Sequence, residues 1–218
     1  MIRLHHCAQA RSFRTLWLMK EMGLEFEIVH RSFFTNELRS EEFLSLSPAG
    51  RVPALEIDGR VLFESGAITE YLCETRPNTL YRPPGDAERP DWLEWLHFAE
   101  TIGQHLAALT QQHIVLYEDH MRSPVIMKLE ARRLEKVLEV VERVVAQHDY
   151  LLPSGFSAVD TNVGYGVLTA RRFVPLEVLP NVKSYLDRLM ARPAFKAAMA
   201  EDGEPEIYTR TFYEVPDV

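Results

Sequence analysis

Residues 76–90 divide the chain into two parts that follow different folding rules. The stretch is rich in proline, glycine and charge, with Pro77, Pro83, Pro84 and Gly85, which reads as a linker. Before it, strand and helix signals alternate. Residues 2–6 read as a strand, residues 12–22 as a helix stopped by Gly23, and residues 26–29 as a second strand. Ser40 can cap a short helix to Leu46, stopped by Ser47-Pro48-Ala49-Gly50. Residues 53–58 and 60–63 then meet at Asp58-Gly59, a two-residue signal for an antiparallel hairpin. Ser65 can cap a last helix carrying Ile68, Tyr71 and Leu72. Beyond the linker only helical patterns remain, over residues 91–119, 124–148, 157–173, 181–191 and 194–200.

The expected architecture is an α/β N-terminal domain of order β-α-β-α-β-β-α, followed by an all-α domain. The boundaries fall at residues 1–77, a linker at 78–89, and helices over 90–218. A chain of 218 residues, 46% of them hydrophobic, suffices for two small cores. The first helix is apolar nearly all round, with Phe13, Leu16, Trp17, Leu18, Met19 and Met22. Such a helix needs cover on two sides, which a sheet and the second domain would supply. Tyr208, Phe212 and Tyr213 predict a tail that packs.

A formal net charge of −8 excludes a general nucleic-acid binder, whose affinity comes from a basic face. The N-terminus carries no apolar leader and no later stretch could span a membrane, so the expected compartment is the cytoplasm. Cys7 and Cys73 are expected as free thiols. His5 and His6 would face opposite sides of a strand, and His97, His105 and His113 drift around a helix, so no metal site is expected.

Three local patterns bear on chemistry. The first is Gly50-Arg51-Val52-Pro53-Ala54-Leu55. A proline opening an interior strand is either the strand's first residue or a cis peptide turning Val52 outward to pair with a peptide-like ligand. The second is Phe63-Glu64-Ser65-Gly66 at a strand-to-helix junction. It is either an ordinary N-cap, or a carboxylate-binding helix end with Glu64 placed to take an ammonium group. The third is Ser157-Ala158-Val159-Asp160, a capping box with Phe156 in the staple position and Thr161 as a poor staple partner.

Together with Arg11-Ser12-Phe13-Arg14-Thr15-Leu16-Trp17, Pro48 through Leu55 and the linker, these patterns make the chain resemble the soluble glutathione S-transferase family of the bacterial, serine type over essentially its whole length. The β-α-β-α-β-β-α order is the thioredoxin-like one. The resemblance implies that Pro53 is the family's cis-proline and that Glu64 and Ser65 bind the γ-glutamyl end of glutathione. Arg51 and Val52 would complete that site, and Ser157 with Asp160 would nucleate a helix. It implies a detoxifying transferase, a cytoplasmic homodimer that uses glutathione as co-substrate against a small electrophile, without metal, nucleic acid or membrane.

One position departs from the family. Where relatives carry a thiol-activating hydroxyl before the first arginine, this chain has Ala10, and the nearest hydroxyl is Ser12. Ser12 is the candidate catalytic residue, with a backbone amide of the same loop as its alternative. A hydroxyl bond to a charged group, worth about 1.5–3 kcal/mol, helped by a helix N-terminus worth about 0.3–1 kcal/mol, would lower a thiol pKa by roughly two units. The electrophile would lie between the domains near Phe13, His113 and Tyr117. Cys7 lacks a Cys-x-x-Cys partner and reads as a strand residue. Ala10 also leaves open a noncatalytic binding or assembly module, and the same fold could serve a glutathione-dependent isomerase, dehalogenase or etherase.

Overall fold

Four short strands form one mixed sheet in the order β2-β1-β3-β4. They are β1 (Arg3–His6), β2 (Glu27–His30), β3 (Ala54–Ile57) and β4 (Arg60–Phe63). β1 runs parallel to β2 across helix α1 (Ser12–Glu21), and antiparallel to β3. The β3–β4 hairpin turns on Asp58 (φ 53°) and Gly59 (φ 74°). Positive φ at both central residues matches strand twist, which is why Asp-Gly serves here. Asp58 is further tied to Arg76 at 2.8 Å and to Tyr71 at 2.9 Å. Helices α2 (Glu41–Leu46) and α3 (Ser65–Thr75) complete the expected β-α-β-α-β-β-α order. Ser40 caps α2 by accepting from Phe43 N.

The computed structural model describes residues 1–215, which fall into two compact units. One comprises Met1–Tyr81 with Met190–Ile207, and the other Arg82–Leu189 with the chain from Tyr208 onward. In the first unit, α1 is covered on two faces. Leu16, Trp17, Leu18 and Met19 are all fully buried. Part of the second cover is helix α8 (Pro193–Glu201), whose Phe195 ring meets Trp17 at 5.0 Å and Phe13 at 5.7 Å, both edge-on. The pattern of α1 calls for cover from the chain beyond the linker, and α8 comes from that stretch but belongs to the first compact unit.

The second unit is all helical: α4 (Arg89–Thr110), α5 (Pro124–Val145), α6 (Ala158–Ala170) and α7 (Pro180–Ala191). α4 packs against α5 and α6. Contact with α6 is close, since a Cβ on Gly166 would lie 2.8 Å from Ile102 Cγ2. The capping box forms as expected at the start of α6. Phe156 packs edge-on against Tyr150 at 5.5 Å, so its partner is aromatic and comes from upstream. The long helix expected over residues 91–119 stops at Thr110, and a π-helical turn over Gln111–Val115 follows. Among the described residues no helix is long and apolar enough to cross a membrane, and no group of three His, Cys, Asp or Glu side chains gathers as metal ligands.

Candidate active site

The hairpin brings the two strand-end motifs together. The β3–β4 register pairs Ala54 with Phe63. One step further along the same antiparallel register, Pro53 comes opposite Glu64. The Val52–Pro53 peptide is cis. The preceding turn is held by Ser47, whose Oγ donates to Arg51 O at 2.7 Å and accepts from Arg51 N at 3.3 Å. Gly50 sits at φ 62°, where a Cβ would come within 2.8 Å of Leu38 O, so only glycine fits. Arg51 is left exposed while Val52 and Pro53 are buried.

At the other strand end the backbone departs from the sequence expectation by one residue. Glu64, not Ser65, is the N-cap of α3, and it holds φ 78°, ψ 113°. A non-glycine residue there costs about 1–3 kcal/mol, and such outliers cluster at functional sites. Ser65 is the first helical residue, and its Oγ accepts from the buried Arg14 guanidinium, Nη1, at 3.1 Å. Nothing lies within 4 Å of a Cβ built on Gly66, so the first turn of α3 is open above its backbone. An exposed carboxylate, an open helix N-terminus and a buried cation fixing its hydroxyl therefore share one corner. Within the Arg11–Trp17 motif, Arg14 is an arginine among apolar helix residues, and that is the sequence signal that marks it.

The thiol-side candidate lies where the loop after β1 enters α1. Ser12 opens α1 and is fully buried. Its Oγ accepts from Cys7 N at 3.3 Å and donates to Cys7 O at 3.4 Å. Ala10 is also buried. Burial pushes the Cys7 thiol up to about 12, with the Glu37 and Glu206 carboxylates adding to the effect, so Cys7 is no nucleophile at neutral pH. The residues expected beside an electrophile have distinct settings. Phe13 is buried against Trp17 and Phe195. In the helical unit, His113 lies against Phe173 at 5.5 Å and Tyr213 at 5.8 Å, and Tyr117 is exposed. Burial, with Arg122 and Arg210 nearby, lowers the His113 pKa and favours its neutral form.

Known proteins resemble this chain over most of its length. Residues 1–74 match the family described as glutathione S-transferase, N-terminal domain. The rice protein named "Probable glutathione S-transferase GSTF1" is 32% identical over 206 residues, covering 87% of this chain and 92% of that protein. This chain belongs to the glutathione S-transferase family. It is a transferase, with the thioredoxin-like N-terminal domain and all-α C-terminal domain that its sequence predicts. A glutathione transferase structure from Methylococcus capsulatus superposes with a TM-score of 0.80 at 28% identity, over 93% of this chain and 98% of that one. A sphingomonad glutathione S-transferase complexed with glutathione superposes with a TM-score of 0.80 at 23% identity, covering 92% and 98%.

Proposed function

We propose that this glutathione S-transferase binds glutathione at the Pro53–Glu64 corner and presents its sulfur as a thiolate to a small, hydrophobic electrophile. The backbone of Glu64 carries this reading. A strained residue persists where the surroundings demand it, and here the strain places an exposed carboxylate at the mouth of α3. Glutathione offers an α-amino group for Glu64 and a carboxylate for the first-turn N–H groups of α3 and the Ser65 hydroxyl. Val52 would pair with the peptide portion and Arg51 would meet an anionic end. The glutathione held by the sphingomonad structural neighbour supports the same ligand class. We place the enzyme in the cytoplasm as a homodimer acting in detoxification, with residues 1–77 as the glutathione-binding domain, 78–89 as linker and 90–218 as the helical domain.

For thiol activation the candidate is Ser12, at the N-terminus of α1. Its bond to Cys7 O is long at 3.4 Å, and exchanging it for a charge-assisted bond to sulfur is favourable. The full burial of Ser12 favours a second reading, in which backbone amides of the same loop meet the sulfur. Thiolate absorbance of the glutathione complex against pH separates them. With Ser12 as donor, Ser12→Ala raises the bound thiol's pKa by about one to two units. Conjugation at neutral pH then slows about ten- to a hundredfold, with glutathione affinity little changed. Identical titrations assign the role to the amides. A wild type with no bound thiolate near neutrality contradicts catalysis and supports a noncatalytic module.

A further inference from the structure

The loop that opens α1 is held by a segment almost two hundred residues away. Past α8, Asp202 is buried, and its carboxylate takes the backbone N–H of Gln9 at 3.1 Å (Oδ2) and 3.3 Å (Oδ1). His6 Nε2 lies 3.2 Å from Oδ1 and 3.0 Å from the Asp202 carbonyl oxygen. Both of those oxygens are acceptors, so Nε2 carries the hydrogen. The chain then turns at Gly203, φ 100°, over Ala8 and His30. It returns to the same loop, where Ile207 N donates to the Gln9 side-chain oxygen at 3.0 Å. Gln9 itself sits at φ 60°, a left-handed state that a non-glycine residue holds only when its neighbours fix it.

A buried carboxylate is costly unless donors surround it. Asp202 spends its acceptors on the backbone of the loop that leads directly into Ala10, Arg11 and Ser12. We infer that Asp202 is a positioning residue for thiol activation, fixing the Gln9 backbone so that the start of α1 faces the glutathione sulfur. The inference rests on the reading given under Proposed function. Its sign is informative. An anion near a thiolate opposes ionisation by Coulomb repulsion, so a benefit from Asp202 must come through the hydrogen bond and not through the charge.

Thiolate titration of the glutathione complex tests this in the full chain. Asp202→Ala is expected to raise the bound thiol's pKa by about one unit and lower kcat at neutral pH about tenfold, with the affinity for glutathione within about twofold of wild type. Asp202→Asn keeps an acceptor for Gln9 N while removing the charge, and retains the wild-type pKa or a lower one. Gly203→Ala strains the turn without touching Asp202, and shifts the pKa in the same direction as Asp202→Ala by a smaller amount, which keeps the test available if Asp202→Ala does not fold. Glu206→Ala removes the outer contact with Ser32 at 2.9 Å and leaves the thiol pKa unchanged. Folded Asp202→Ala or Gly203→Ala with a wild-type thiol pKa and only a lower melting temperature overturns the inference. A wild type that binds no glutathione overturns the reading beneath it, and the inference with it.

Discussion

Replacing Asp160 by alanine should lower the unfolding free energy by about 3 kcal/mol or more, read from urea midpoints at constant slope. Asp160 is fully buried at the start of α6 and accepts from Ser157 N at 2.7 Å, Leu151 N at 3.2 Å and Tyr185 Oη at 2.9 Å. Alanine leaves three buried donors without their acceptor, each worth about 1–3 kcal/mol. It also removes the N3 half of the capping box, while the Ser157 N-cap remains. Asp160→Asn preserves the shape and one acceptor and should cost less. Burial pushes the Asp160 carboxyl up to about 6 while its hydrogen bonds hold it down. Because this lies above the ordinary carboxylate value near 4, the folded state holds the proton more tightly between about pH 4 and 6. The residue's contribution to stability therefore falls as pH rises through that window. Asp160→Asn should lack this slope.

Phe195→Ala should destabilise the first unit by about 3–5 kcal/mol, the range for a buried phenylalanine reduced to alanine. Phe195 is 3% exposed and contacts both Trp17 and Phe13 edge-on, an arrangement that adds to simple burial. Loss of the ring opens a cavity beside Trp17, so its fluorescence should report the same transition. Met199, on the same helix, is 43% exposed, and Met199→Ala should change stability by less than about 0.5 kcal/mol. Equal effects from the two substitutions would mean that Phe195 does not cover α1.

These two residues mark where sequence reasoning reaches and where it stops. The capping box is legible because both partners lie within four residues and their chemistry is local. The hairpin is legible for the same reason, since Asp58-Gly59 supplies the positive φ that the turn requires. Phe195 is not legible as the cover of α1. The all-round apolar pattern shows that two covers exist, but the choice of segment depends on packing across nearly 180 residues. The site divides along the same line. Glu64 and Ser65 stand out by their junction, yet the one-residue shift of the cap to Glu64 is a backbone choice tied to the strand end. Arg14 and Asp202 act through long-range bonds to Ser65 and Gln9, which no local spacing announces. Ser12 is visible as the hydroxyl nearest the expected position, and its engagement with Cys7 depends on how the loop closes.

Calorimetric titration of glutathione into the wild-type chain, Glu64→Ala and Ser65→Ala decides whether the ligand sits at the mouth of α3. The wild type should bind glutathione saturably. Each substitution should weaken it by about 1–3 kcal/mol, because each removes a partner of one charged end of the ligand. The loss in Glu64→Ala should shrink with added salt, since Glu64 is exposed and its bond to the ammonium group is screened. Wild-type affinity retained in both variants would contradict the assignment of the glutathione site to the mouth of α3.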